Sequence, residues 1–333
     1  MTYLSFFMFT TDLRPGDPEY TKVVVNHMRE MRQLGYTGFD LPIRPLDTSD
    51  HRGEVERYAE LRRALDRAGL DDLGFTTNVA TTRTFDPTSP YAEQRAGALN
   101  YLKSRVDITA VLGGHILGGP IVFPYNQFPT TDSGEPVWSD ALQDWLPPRS
   151  ANAQPVLDEL GDYAATRGVK LAIEGVDHWE QPAPNMVEDV LHFLEGVSSR
   201  QVGVCLDIAH VVLGSSGPEV FRQAVSRAAA TGRLHYVQVS PPDRGAVRDS
   251  WIPWDLFLTT VMPHYDGPLL IEIFNAIPDF QPSLRLTRRK FWVPGEDEPD
   301  TSHPNAYTVA AEAIEELEKQ LARVPGKDHD DHH

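Results

Sequence analysis

Apolar residues in this chain follow two alternating rhythms. Eight short, nearly continuous apolar runs cover residues 4–9, 38–43, 73–79, 115–123, 169–176, 202–208, 234–239 and 268–274. Such runs are expected of parallel strands whose two faces are both covered. Between them lie stretches with apolar positions at helical spacing, among them residues 20–34, 54–68, 151–167, 186–196, 218–230 and 306–321. A strand followed by a helix, repeated along the chain, fits either an open doubly wound sheet or a closed (β/α)8 barrel. Eight evenly spaced runs favour the barrel, and the absence of a glycine-rich dinucleotide fingerprint after the first run weighs against the open sheet. The expectation is a single-domain (β/α)8 TIM barrel over residues 1–325, followed by a disordered polar tail over 326–333. Two irregular insertions, roughly 123–148 and 280–304, follow strands and are expected to cover the mouth of the barrel.

Composition narrows the function. The 333 residues, 41% of them hydrophobic, are enough for one large core. A net charge of −18 with no basic stripe argues against nucleic acid or an anionic membrane as a partner. No apolar run approaches the roughly 20 residues of a membrane span. The apolar start, Met1 to Phe9, lacks the basic region and cleavage site of a signal peptide, so the expected location is cytoplasmic. The single cysteine, Cys205, lies within an apolar run and reads as a buried, inert thiol.

Four of the apolar runs end in polar groups suited to a metal. They are Leu171-Ala172-Ile173-Glu174, Val204-Cys205-Leu206-Asp207, Tyr236-Val237-Gln238 and Leu270-Ile271-Glu272. Active-site groups in a TIM barrel sit at the C-terminal strand ends, which would bring Glu174, Asp207, Gln238 and Glu272 together. A carboxylate behind an apolar run is costly to bury unless it is paired or binds a metal. Carboxylates with one amide oxygen are hard donors, suited to Mn²⁺ or Mg²⁺, with Co²⁺ as a possible substitute. His235, three residues before Gln238, is a rival ligand. In a regular strand the two would face opposite sides, which favours Gln238.

These segments, with Ile208-Ala209-His210, Asp243-Arg244 and Ile273-Phe274-Asn275, resemble the xylose-isomerase-like TIM-barrel superfamily of sugar isomerases and epimerases over nearly the whole chain. The resemblance implies Glu174, Asp207, Gln238 and Glu272 as metal ligands, with Gln238 matching the hydroxypyruvate-isomerase branch. It further implies His210, Arg244 and Asn275 as substrate contacts. In the ketose epimerases of this superfamily two glutamates, here Glu174 and Glu272, also form the acid/base pair.

The run after Glu174, Gly175-Val176-Asp177-His178-Trp179-Glu180, departs from the proline, asparagine and arginine usual there. With Thr76-Thr77-Asn78, Thr81 to Pro87 and Lys290-Phe291-Trp292 it resembles the catalytic alpha subunit of bacterial C-glycoside deglycosidases. That resemblance implies a carbon–carbon lyase acting on a 3-oxo-C-glycoside. His178 would remove a proton beside the sugar ketone, and the aryl aglycone would leave by β-elimination. It also implies a small beta subunit in a hetero-oligomer. The alternatives are an epimerase or isomerase of a free ketose and a non-catalytic barrel scaffold. Phe123, Tyr125, Phe128, Trp138, Trp145, Trp251 and Trp254 supply aromatics at the mouth for an aryl substrate. No glycine-rich phosphate cradle follows the last two strands, where Pro241-Pro242 stands instead, so an unphosphorylated sugar is expected.

Overall fold

The computed structural model describes residues 1–44, 50–135, 137, 140–214, 217–248, 250–274 and 291–324. Eight strands, β1 (Thr2–Ser5), β2 (Gly38–Pro42), β3 (Gly74–Asn78), β4 (Ile116–Gly119), β5 (Lys170–Glu174), β6 (Val202–Asp207), β7 (Leu234–Val239) and β8 (Leu269–Ile271), pair in parallel with their sequence neighbours, and β8 closes on β1. The expected (β/α)8 barrel is the observed one. Helices α1 (Pro18–Gln33), α2 (His51–Arg67), α3 (Ala92–Val111), α4 (Asp140–Ala165), α5 (Val187–Phe193), α6 (Ile208–Gly214), α7 (Pro218–Ala230) and α8 (Trp254–Val261) lie between the strands in sequence, and α9 (Ala306–Leu321) follows β8.

Several elements differ from the sequence expectation. The first apolar run leaves the sheet after Ser5, because Phe6–Met8 turn into a short 3-10 helix whose side chains stay buried. The end of the insertion over 123–148 is helical, since α4 begins at Asp140, and the helix carries Pro147, Pro148 and Pro155 within it. Of the insertion over 280–304, residues 291–304 are described, and Trp292 bridges Asn305. His27, buried on α1, ties this segment down, with Nε2 2.9 Å from Glu296 Oε1 and Nδ1 2.9 Å from the Tyr307 hydroxyl. The C-terminal tail and Trp138 lie outside the described residues.

Two apolar layers result. The larger fills the space between strands and helices. The smaller, Tyr3, Ala172, Cys205, Tyr236 and Leu270 with Ile116, fills the barrel interior. Gly74 makes room for that interior, because a Cβ there would overlap the Tyr3 hydroxyl. Because side chains alternate along a strand, residues two positions beyond the interior layer face inward again, one step nearer the mouth. Those positions are Ser5, Glu174, Asp207, Gln238 and Glu272. The fold therefore places the four expected donors in one inward-facing tier directly above an apolar floor.

One polar pair lies in the outer layer. Arg105 of α3 and Glu54 of α2 are both buried, and the guanidinium donates through Nη1 to Glu54 Oε1 at 2.9 Å and through Nη2 to Oε2. Arg105 also lies over the Tyr101 ring at 4.6 Å.

Candidate active site

Glu174 and Asp207 are the last residues of β5 and β6, Gln238 is next to last in β7, and Glu272 follows β8 directly. All four are buried, at 5%, 2%, 0% and 2% exposure. Asp207 pairs in register with Gln238 across the β6–β7 seam.

Arg244 and His210 join the carboxylates to one another. Arg244 Nη1 donates to Asp207 Oδ2 at 2.6 Å, to Ser240 Oγ at 2.5 Å and to Glu272 Oε2 at 3.1 Å. His210, three residues past Asp207 on α6, sets Nε2 3.2 Å from Glu174 Oε1 and 3.5 Å from Asp207 Oδ2. Arg244 Nη2 stands 2.5 Å from the same nitrogen. Arg244 holds a backbone φ of 57°, a conformation that costs a non-glycine residue on the order of 1 kcal/mol or more and collects at functional sites. Its guanidinium carbon stands 5.5 Å from the centre of the Phe274 ring.

Burial sets the electrostatics. It pushes the Glu174 carboxyl up, opposed by His210 and Arg244, and it drives Glu272 well up, with Arg244 opposing and Asp207 and Glu174 adding to the rise. Burial and the Arg244 charge push His210 down, but Asp207, Asp177 and Glu174 outweigh them and raise it to about 10. Asp40, inward-facing on β2, is raised by burial to about 7, although it accepts a 2.6 Å hydrogen bond from Thr76.

The sequence reading did not assign roles to several of these groups. Asp177 and Glu180, on the loop after β5, gather around His210, with one ligand atom from each of the three within 4.8 Å of the others. The Tyr125 hydroxyl donates to Glu180 Oε2 at 2.5 Å, joining the β4 insertion to this loop. The available signal was spacing, since Asp177 and Glu180 lie three and six residues past Glu174. Among the expected residues, Asn275 lies outside the described part of the chain. His178 is exposed, and its ring meets Trp179 edge-on at 4.7 Å, outside the cluster. His235 is placed away from the inner tier, its Nδ1 3.0 Å from the Leu171 carbonyl oxygen. The register shifts here, with Leu234 opposite Val204 and Tyr236 opposite Cys205, so His235 is the extra residue of a bulge.

Glu174, Asp207 and His210 offer ligand atoms within 4.8 Å of one another. Gln238 tests whether a hard cation fits. Its side chain is wholly buried, yet among the described residues neither Oε1 nor Nε2 has a hydrogen-bond partner. An unsatisfied buried amide is destabilising by about 1–3 kcal/mol, and an amide oxygen on the same tier as three carboxylates suits a divalent ion. Gln238→Leu is therefore expected to leave the metal-free protein at least as stable, while weakening Mn²⁺ affinity ~10–100-fold. Thermal unfolding in chelator and calorimetric titration with Mn²⁺ check the two halves. Unchanged affinity would remove Gln238 from the donor set.

The comparisons with known proteins agree with this architecture. The family model for xylose isomerase-like TIM barrels matches residues 28–290. The chain belongs to this family. A protein of Anabaena variabilis described as a sugar phosphate isomerase/epimerase is 56% identical in a solved structure, with a TM-score of 0.94 over 97% of this chain and 98% of that one. A ketose 3-epimerase of Arthrobacter globiformis is 26% identical over 275 residues, 81% of this chain and 85% of the relative. An L-ribulose 3-epimerase of Methylomonas sp. is 27% identical over 176 residues, and the match spans 53% of this chain and about half, 55%, of the relative. For this member of the xylose isomerase-like TIM barrels, these relatives support the epimerase alternative rather than the C-glycoside lyase. Among the described residues, no helix is long and apolar enough to cross a membrane.

Proposed function

We propose that this chain is a ketose 3-epimerase that acts on a free, unphosphorylated sugar, with one divalent cation held by Glu174, Asp207, Gln238 and Glu272. The carrying observation is the placement of two buried glutamates, Glu174 on β5 and Glu272 after β8, on either side of Asp207 and Gln238 in one inward-facing tier. Epimerisation requires a proton to leave one face of a carbon and return to the other, so it needs two acid/base groups that flank the substrate. Both carboxyls are pushed up by burial, in the direction that lets a carboxyl exchange protons near neutral pH. The chemistry supplied by a bound Mn²⁺ or Mg²⁺ is neutralisation of the charge that develops on the substrate oxygens when the proton leaves. His210 and Arg244, bonded to that tier, would hold those oxygens.

The choice of a neutral sugar rests on charge. Among the described residues, the cationic side chains bonded into the cluster are Arg244 and His210, and both are held by carboxylates. Glu174, Asp177, Asp207 and Glu272 would repel a phosphate. The lyase reading depended on His178, which faces solvent; the beta subunit belonged to that reading and is not needed here.

Two experiments separate the readings. A panel of free ketoses and a 3-oxo-C-glucoside is incubated with Mn²⁺-loaded protein and followed by chromatography. Interconversion of a C3-epimeric ketose pair is expected, and release of an aryl aglycone without ketose turnover would overturn the epimerase reading. His178→Ala is expected to keep its activity within about threefold of the parent, as for a surface substitution. A loss of tenfold or more would return His178 to the mechanism.

A further inference from the structure

We infer that Asp177 is a positioning residue that fixes the His210 imidazole with its proton on Nδ1 and its Nε2 turned toward the substrate. Asp177 lies three residues past Glu174, in the loop after β5, and is 2% exposed. Its Oδ2 stands 3.1 Å from His210 Nδ1, and its backbone N–H approaches the same nitrogen at 3.2 Å. Oδ1 has no partner. The loop itself is held by its backbone. Glu180 and Gln181 donate their N–H groups to the Asp177 carbonyl at 2.8 and 3.1 Å, and Val176 donates to Pro184 at 3.1 Å. Asn185 Nδ2 adds a 2.7 Å bond to the Val176 carbonyl.

A neutral imidazole has one proton to place, and the neighbours decide where. With the proton on Nε2, Nδ1 would accept from the Asp177 amide. The Nε2 proton would then face the Arg244 Nη2 donor at 2.5 Å, and the Asp177 carboxylate would face a lone pair. A buried anion would be left with neither side-chain oxygen bonded, which is the costly arrangement. With the proton on Nδ1, the Asp177 carboxylate accepts from it and Nε2 accepts from Arg244. The Asp177 amide gives up its acceptor, and Glu174, which then faces an unprotonated nitrogen at 3.2 Å, has the proposed cation as its partner. A cationic ring carries a proton on Nδ1 as well, so the Nδ1–H to Asp177 bond holds in either charge state. The ring is thereby locked with Nε2 at 3.2 Å from Glu174 Oε1, where it can reach the substrate.

For catalysis the inference rests on the proposed epimerase reading, and the test keeps the two apart. Nitrogen-15 NMR of the imidazole rings, assigned to His210 by comparison with His210→Gln, reads the protonation of Nδ1 directly and needs no substrate. Nδ1 protonated in the parent and perturbed in Asp177→Ala is the expected result; an unprotonated Nδ1 bonded to the backbone amide overturns the inference. In ketose assays Asp177→Ala should lose ~10–100-fold in kcat with KM within about threefold, and Asp177→Asn, whose amide oxygen can still accept, should recover most of the loss. A kcat within twofold of the parent in Asp177→Ala overturns the inference too. If the alanine variant does not fold, the parent spectrum and Asp177→Asn decide. If the parent turns over no ketose, the epimerase reading fails, and the NMR result still decides the role of Asp177.

Discussion

Glu272→Gln should reduce ketose turnover by about a thousandfold or more and lower Mn²⁺ occupancy, with the fold retained. The side chain is given two tasks that glutamine performs poorly. As an acid/base group it must take or return a proton, a contribution of typically 10²–10⁴-fold, and an amide cannot do so. As the proposed donor it would supply one of the negative charges that hold the cation, so the loss of affinity should add to the loss of chemistry. The fold should survive because Arg244 Nη1 keeps its 2.6 Å bond to Asp207 and the amide still presents an oxygen to it. Circular dichroism, metal content by mass spectrometry and ketose turnover measured on one preparation separate these effects. Full metal occupancy with unchanged turnover would make Glu272 a bystander. Glu174→Gln should behave alike, since Glu174 occupies the corresponding place on the other flank.

Arg105→Ala should destabilise the protein by about 3–5 kcal/mol, because it strands the buried Glu54 carboxylate between α2 and α3. The pair itself need not be strongly stabilising. Taking two charges out of water offsets much of their attraction, so the size of the effect comes from leaving one charge alone. The joint replacement Glu54→Leu with Arg105→Met should consequently recover most of the lost stability. Urea unfolding midpoints of the parent, the single variant and the double variant check this. A single variant within 1 kcal/mol of the parent, or a double variant worse than the single, would contradict the account.

The strands were legible because both of their faces are buried, which leaves an apolar run with little ambiguity. The inward-facing polar tier was legible for a related reason. Glu174, Asp207, Gln238 and Glu272 each interrupt such a run at the point where the strand reaches the mouth, and a polar group there stands out. Residues 92–111 gave less signal. The inner side of α3 buries Ser104, Arg105 and Thr109 along with its apolar residues, so its polar and apolar positions do not separate cleanly around the helix. Pro147 and Pro148 hid the start of α4, since proline usually marks a break, whereas Pro155 lies within the stretch expected to be helical.

Local geometry beyond the strands was less accessible. The bulge at His235 is invisible to a count of alternating positions, because one extra residue shifts the alternation. Gly203 allows it, since a Cβ at that position would lie 2.5 Å from His235 Nδ1. The loop after β5 posed a similar difficulty. Proximity in sequence to Glu174 suggested His178 at the mouth, yet the turn buries Asp177 and points the next side chain outward. Neighbouring residues in a turn need not share a direction, and spacing alone does not say which of them faces in.

The central claim is that Glu174 and Glu272 exchange the proton on one sugar carbon, and hydrogen-isotope exchange in D₂O tests it most directly. Mn²⁺-loaded protein is incubated in D₂O with the ketose that the panel identifies, and substrate and product are analysed by proton NMR and mass spectrometry. One deuterium at C3, in the product and progressively in recovered substrate, is the predicted result, and it should vanish in both glutamine variants. Epimer formation without deuterium at C3, or deuterium entering at C1 instead, would contradict the account.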